Sequence, residues 1–556
     1  MEPIRDNNRD KTNNAVMLVS PIGGWNAKDS LASMPETDAV VMDNWMPHEG
    51  YVSLRQGYRK VVDSKVGDTT FQIKTIMPYN VSGQEHLLLA GNHNFYVIDK
   101  VTVPPTLTSK LNGSAPTGND KWNYTLYRET LVITKAGQTP KYYNGVSVQD
   151  AEYTITPILP NPQPTPIQPT PEHEVSTELD QVVLYRNRLF FSYKDKLWIV
   201  YAKVAGSVPA YVGGTNVVDL GFIDMSMFCK RGGSIAILAN WTKTGAEDLN
   251  NMLIAITTEG EVLAFSGDDP ADATRWALKG VYNIPQVLPG SNVISVGGDL
   301  VIITVAGYFS LSDLLNANFV NEDSALSNKI NKVVKDLTHK YNDFPYWTLC
   351  YAPRYDILLV NTATFRDSDQ YILSDQHVLN LSTGAWSRFT GLDAACFETF
   401  KGDVYFASID KNGGLYKMFE GSTDGSSLNG TSVVDGRYIS GYVQQAYSNF
   451  NLPKIKSFKM AKFIASNGLG VEIGVNFNVD FVRSNAVAKN SIVETSANWK
   501  DTKWNTRPWE YGAVTSIVSS IINAVPGYYG SIGLSVNTKY SNIEWYSTLI
   551  ILAVEK

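Results

Sequence analysis

Between residues 70 and 425 this chain repeats one pattern seven times: an apolar strand, a tight polar turn, then a second strand rich in aromatics. Leu87–Ala90 with Phe95–Ile98, Leu131–Thr134 with Lys141–Tyr143, Leu189–Tyr193 with Leu197–Tyr201, Leu253–Thr257 with Glu261–Phe265, and Val301–Thr304 with Tyr308–Leu311 are five cases. Ile357–Asn361 with His377–Asn380 is a sixth, its hairpin lengthened by an insertion, and Val404–Ala407 with Leu415–Met418 is the seventh. β-Branched and aromatic runs supply the strands, and Gly, Asn or Asp supply the turn geometry. The hairpins recur at roughly 40–60 residues, the spacing of propeller blades, in which no four-stranded sheet buries its faces alone. The expectation is a mostly-β chain with a β-propeller of about six to eight blades, with insertions, over 70–428. An irregular pair of β-sandwiches is the competing architecture.

Other segments flank or interrupt this repeat. Residues 1–15 are dominated by Asn and charge and read as a flexible N-terminal arm. Residues 16–69 read as short strands and turns that anchor the N-terminus. The Pro-rich run at 160–171 reads as an extended connector. Over 329–341, Ile330, Val333, Val334, Leu337 and Tyr341 form one apolar stripe at helical spacing. This predicts a helical insertion capped by Ser327 or Asn328 and limited by Pro345. Residues 429–556 alternate apolar and polar positions and read as a separate C-terminal antiparallel β-sandwich. Lys454, Lys456, Lys459 and Lys462 at its start read as a solvated strand edge that discourages stray pairing.

The totals exclude several function classes. The formal net charge of −7 opposes tight nucleic-acid binding, though not passage of DNA through a neutral or acidic channel. Three isolated cysteines, Cys229, Cys350 and Cys396, suit neither a disulfide framework nor a zinc site, and read as reduced buried thiols. The polar N-terminus carries no secretory signal pattern, and no run approaches the ~20 apolar residues of a membrane span. Synthesis in a cytoplasm is the expectation.

A search for chemistry finds no catalytic constellation. The six histidines show no HxxxH or HExxH spacing, and there is no GxSxG elbow or phosphate-binding loop. The expectation is a non-enzyme without cofactors. Asp268, Asp269 and Asp272 in one acidic turn are weak candidates for a hard cation, lacking the closing bidentate Glu of an EF-hand. Ser408–Gly414 has the flavour of an Asp-box turn and reads as a hairpin turn. Trp122, Trp198 and Trp347 are the aromatics that would stack on sugars if the chain were a glycan-binding or glycan-hydrolysing propeller, and carboxylates in the central channel would mark that alternative.

The most distinctive stretch runs from Pro21 to Tyr58: Pro21-Ile22-Gly23-Gly24-Trp25-Asn26, then Met34-Pro35, Asp38-Ala39, Met42-Asp43-Asn44-Trp45-Met46-Pro47, and Gly50-Tyr51-Val52-Ser53-Leu54-Arg55-Gln56-Gly57-Tyr58. This string resembles the start of the tail nozzle (tail hub, tail tubular B-like) structural proteins of short-tailed bacteriophages, the podoviruses, where it precedes a β-propeller. The likeness is close over about residues 20–60 and only architectural beyond. It implies a virion tail protein, a homohexameric ring below the portal and its tail adaptor (the head-to-tail connector). Tail fibres or spikes would attach nearby, and viral DNA would cross the lumen without sequence-specific binding. Within the string, Trp25 and Trp45 are candidate hydrophobic anchors, and Arg55 and Arg59 candidates to pair with acidic partners.

Overall fold

The computed structural model describes residues 13–554 apart from internal stretches, of which 156–175, 208–217 and 492–513 are the longest. The Pro-rich connector at 160–171 therefore lies outside the described residues. So do residues 1–12 of the expected arm, but Asn13–Val19 is a strand, paired antiparallel with Ile543–Val554. The arm thus gives way to sheet before residue 15, because the apolar residues Val16 and Leu18 have a sheet to pack on.

The chain is mostly β, built from many small sheets. Seven follow one another in sequence. Their hairpins begin with the strands Ile73–Val81, Asn123–Tyr127, Leu179–Tyr185, Ile235–Lys243, Ile294–Val296, Thr348–Ala352 and Ala394–Phe400, the third sheet also holding the earlier strand Tyr153–Ile155. Each hairpin expected from the sequence lies within one of them. The sixth is one unbroken ladder, from Ile357 opposite Asn380 to Arg366 opposite Tyr371, so residues 362–366 and 371–376 extend both strands where the sequence predicts an insertion. The fifth sheet has three strands, and the elements that follow it on the chain are helical.

Each sheet packs on the next through its own apolar cluster. Met77, Phe95, Trp122 and Leu131 join the first to the second, and Tyr142, Val132, Phe191 and Leu179 join the second to the third. Phe190, Tyr201, Leu253 and Phe265 join the third to the fourth, and Ile254, Val262, Ile302 and Phe309 join the fourth to the fifth. Val301, Tyr308, Trp347 and Leu358 join the fifth to the sixth, and Cys350, Ile357, Phe397 and Phe406 join the sixth to the seventh. The seventh meets the first through Phe400, Leu415, Phe71 and Ile73. The succession closes on itself. The closing strand comes from the far N-terminus, where Tyr58–Asp63 pairs antiparallel with Gly414–Met418. A sheet that cannot hide either face alone is stabilised by such neighbours on both sides.

The strands after residue 429 form two facing sheets, with Phe458 and Phe477 in ring contact at 4.6 Å across them. They do not stand apart from the rest. One sheet contains Ile543–Val554, Lys456–Asn467 and Val514–Gly527, with Val52–Leu54 and Asn13–Val19 both paired to Ile543–Val554. In the other, Asp38–Asp43 pairs with Ile439–Gln445 on one side and bridges to Ala385–Phe389 of the sixth sheet on the other. Trp25, Trp45, Trp386, Trp545, Ile330 and Val443 share one core. The boundary expected at 429 is thus crossed by the N-terminal strands and by this core.

The helical stripe forms as Asn328–Ile330 followed by Asn331–Lys340. Ile330 and Val334 are fully buried, with Val333, Leu337 and Tyr341 packed beside them. Neither expected cap forms. The Ser327 hydroxyl is occupied elsewhere, accepting from the Tyr308 amide at 2.9 Å and bonding the Asn331 side chain at 2.9 Å. No helix among the described residues is long and apolar enough to cross a membrane.

Candidate interaction sites

The segment 20–60 is a strap of turns and short strands whose polar side chains tie distant parts of the chain. Gly24 has φ +78°, and a β-carbon there would sit 2.6 Å from the Trp386 carbonyl oxygen, so only glycine admits this approach. Trp25 then enters the shared core, edge-on to His377 at 5.4 Å and under the Arg388 guanidinium at 5.5 Å. Trp45 is fully buried. Both anchors seat in grooves of their own chain.

Between them, Asn44 takes φ 62°, a left-handed conformation that Asn tolerates better than most residues. Its amide donates to the Ser440 carbonyl at 2.7 Å and to Thr390 Oγ1 at 3.0 Å. Its Oδ1 accepts from Arg55 Nε at 2.8 Å. Arg55 completes its fan of five donors on Asp424 Oδ1 and Oδ2, each at 2.7 Å, and on the carbonyls of Gln56 and Thr390 at 3.1 and 3.2 Å. Arg59 pairs with Glu420 at 2.5 Å, both side chains half-buried. The acidic partners foreseen for both arginines are therefore on the same chain.

Sequence reasoning missed Asp38, Asp43 and Asp424. Asp38 accepts from Lys329 Nζ at 2.9 Å and Asn26 Nδ2 at 2.7 Å, while Asp43 takes both Nε and Nη2 of Arg388, at 2.7 and 2.9 Å. Asp38 and Asp43 stand in the distinctive string itself, which was the available signal. Nothing near Asp424 marks it.

The acidic turn is a salt-bridged corner. Asp268 accepts from Arg275 through Nε at 3.1 Å and through Nη2, Asp269 meets Arg188 at 3.2 Å, and Asp272 accepts from the amide and hydroxyl of Thr274 at 2.8 and 2.6 Å. Hydrogen bonds from Arg275 and Thr274 hold Asp268 and Asp272 below the usual carboxylate range. Each carboxylate is aimed at its own donor, so the turn does not gather the three around a common point. Among the described residues, no group of three or more His, Cys, Asp or Glu is placed to hold a metal ion. The corner orients Trp276, which stacks between Phe190 and Phe265 at 5.6 and 5.5 Å, at the junction of the third and fourth sheets.

At a polar hub where the starts of the first, second, sixth and seventh sheets approach, side chains bond across sheets that are not neighbours. Lys121 Nζ, just ahead of the second sheet, donates to the Trp347 carbonyl at 3.0 Å and Thr348 Oγ1 at 2.7 Å in the sixth. Tyr124 Oη donates to Glu398 Oε2 at 2.7 Å, linking second to seventh, and Lys74 Nζ donates to Tyr346 Oη at 2.8 Å, linking first to sixth. Desolvation lowers Lys121 to about 8 and raises Glu398 to about 7. The second oxygen of Glu398 accepts from the Thr399 amide at 3.0 Å.

The sugar-stacking candidates are already occupied. Trp122 and Trp347 are buried. Trp198 is stacked on Phe222 at 4.2 Å on one side and covered by Lys196 Nζ at 3.7 Å. Of the Asp-box-like turn, residues 411–413 lie outside the described residues, and Ser408 Oγ accepts from the Asp410 amide at 3.0 Å. The lysines at the start of the C-terminal sheets do not mark an edge. Lys456–Asn467 is paired on both sides, and Lys456 is buried, donating to the carbonyls of Leu452, Lys454 and Tyr528 at 2.6, 3.0 and 2.7 Å. Cys350 and Cys396 are buried and Cys229 half-buried, all three free thiols.

No protein-family model matches the chain, and no curated protein matches it. Solved structures resemble it distantly. The computationally designed Ika8 protein aligns at 10% identity and TM-score 0.34, over 71% of this chain and 100% of its own. The exo-β-1,3-galactanase of Phanerochaete chrysosporium aligns at 11% identity and TM-score 0.28, over 78% and 96%. Chaetomium thermophilum Raptor aligns at 10% identity and TM-score 0.37, over 66% of this chain and 29% of its own. Likenesses at these values assign neither a family nor an activity.

Proposed function

We propose that this chain is a virion structural protein, the tail nozzle of a short-tailed phage, and that its seven successive sheets are the blades of a seven-bladed β-propeller. In this reading copies assemble as a hexameric ring below the portal and adaptor, carry fibres or spikes, and enclose the DNA exit channel, with no catalytic turnover. The observation that carries the reading is the string from Pro21 to Tyr58, which has the sequence character of that family. Its polar and aromatic residues tie the last blade to the C-terminal sheets through Arg55–Asp424 and Asp43–Arg388. The hub bonds of Lys121, Tyr124 and Lys74 favour a lumen between copies rather than through one propeller. Quantitative mass spectrometry of purified virus particles tests this. A fixed copy number about half that of a twelve-fold portal is expected from a six-fold ring, and absence from particles overturns the reading.

One observation favours a second reading, a glycan-binding or glycan-hydrolysing propeller: the hub carboxyl of Glu398, which burial lifts to about 7. Against it, both oxygens of Glu398 are engaged by the chain itself, while glycoside hydrolysis uses a pair of carboxylates flanking the bond. Release of sugar from envelope glycans by the purified protein would support this second reading.

A further inference from the structure

The sheet holding Ile543–Val554 has two edge strands that nature rarely leaves bare, one of which shares its side of Ile543–Val554 with the short strands Val52–Leu54 and Trp45–Pro47. On one side is Asn13–Val19 (NNAVMLV), paired only with Ile543–Val554 among the described residues. On the other is Val514–Gly527 (VTSIVSSIINAVPG), paired among the described residues only with Lys456–Asn467. Neither contains a charged residue, and the first has no proline. Edge strands of soluble proteins are usually blunted by lysine, proline or shortness, because an open row of N–H and C=O groups templates further pairing. Here the charges are distributed the other way. Lys456, Lys459 and Lys462 lie on a strand already paired on both sides, and the two edges have none. Ala15, Met17 and Val19 are exposed, Met17 by 59%. At the end of that strand the Gln445 side chain donates to the Val19 carbonyl at 2.7 Å, which closes the open run.

Strand direction selects the partner. The three pairings between these edges are all antiparallel, so Asn13–Val19 and Val514–Gly527 run in opposite senses. When copies are related by rotation about an axis, the first strand of one brought beside the last strand of the next makes a fourth antiparallel pairing. The sheet then continues without a parallel junction. Such a contact uses different surfaces on the two copies and closes only as a ring.

We propose that a second copy of this chain covers these edges, Asn13–Val19 of one protomer adding to Val514–Gly527 of the next, so that one sheet runs on from copy to copy around the ring. This rests on the ring assembly proposed above and names the surfaces that build it.

One cross-strand register row runs Met17, Leu549, Lys462, Ser519, so Met17 and Ser519 occupy the same row at the two edges. Met17→Cys and Ser519→Cys are combined in one chain and assembled in particles. The particles are treated with oxidant or with a bismaleimide of about 8 Å, the reach of diagonal cross-strand neighbours. A covalent ladder on a denaturing gel is expected from the double variant and from neither single variant nor wild type. The pair Val19→Cys and Ile517→Cys, from the next row, repeats the test if the first pair impairs folding. Rings in particles without a ladder from either pair overturn this pairing and leave the ring standing. Dimers from M17C alone overturn it in favour of a two-fold contact. Absence of the chain from particles removes the ring reading and this inference with it.

Discussion

Arg55 and Asp424, 369 residues apart, meet in a buried two-point ion pair with both N···O distances at 2.7 Å. Every guanidinium donor is used, so the pair fixes where the N-terminal strap meets the seventh sheet. Breaking one side of a buried pair strands a charge and costs roughly 3–5 kcal/mol. Arg55→Ala is expected to destabilise the chain by that amount. Arg55→Lys should recover little, since an ammonium cannot reproduce the two-point contact and also reach Asn44 and Thr390. Denaturant unfolding followed by tryptophan fluorescence measures both, and a loss under about 1 kcal/mol for Arg55→Ala would contradict this account.

Gly57 and Gly50 separate two reasons for glycine. A β-carbon on Gly57 would lie 2.1 Å from the Thr423 carbonyl oxygen, a backbone atom that cannot step aside, whereas Gly50 has φ +84° with open space around it. Gly57→Ala is expected to cost about 3 kcal/mol or more by overpacking, and Gly50→Ala about 1 kcal/mol from its left-handed backbone. Thermal midpoints of the two variants should fall in that order.

The hairpins were legible because each is local: Leu253 pairs with Phe265 and Leu131 with Tyr143, across turns whose residues announce themselves. The helix was legible from its stripe, but its caps were not, since Ser327 serves Tyr308 and Asn331, contacts that arise only in the folded chain. The N-terminal strands were the least legible. Nothing within Tyr58–Asp63 states that its partner lies at Gly414–Met418, and the pairing that merges the strap with the C-terminal sheets is just as remote. The lysines of Lys456–Asn467 misled for a related reason: their alternation fits an edge, and only the neighbours show the strand to be interior.

His377 supplies an acid limb to stability. It is buried, bonds Tyr308 Oη through Nδ1 at 3.0 Å, and is held down to about 3 by desolvation and the Arg388 guanidinium. The unfolded chain takes up a proton below its ordinary 6.5 and the folded chain refuses it. The stability is therefore whole above pH 6.5 and is lost as pH falls toward 3, by an amount on the order of 3–5 kcal/mol. His377→Gln should flatten the unfolding free energy between pH 6 and 4. An unchanged slope would show that other groups set the acid limb.

Glu398 acts in the opposite sense. Its folded carboxyl keeps a proton up to about pH 7 that the unfolded chain releases above its ordinary 4.5. Its contribution is therefore present below 4.5 and is lost as pH rises to 7. Glu398→Gln retains an acceptor for Tyr124 and carries no charge. It should match wild type near pH 4 and exceed it at pH 8 by roughly 1–3 kcal/mol. Urea midpoints at the two pH values decide this, and equal midpoints at pH 8 would mean the ionised carboxylate is solvated at the hub.

The closing strand Tyr58–Asp63 has consequences in time as well as space. Its partner Gly414–Met418 is translated some 350 residues later, and the mate of Asn13–Val19 is the chain's last described strand, Ile543–Val554. At ribosomal speeds of about 5–20 residues per second, the first strands wait tens of seconds for their partners. Over that interval the N-terminal segment is a loose end with apolar residues to hide, and early release or truncation leaves it so. Synthesis through Ile543–Val554 thus acts as a checkpoint, since a product that stops short of it lacks the strand that pairs with Asn13–Val19.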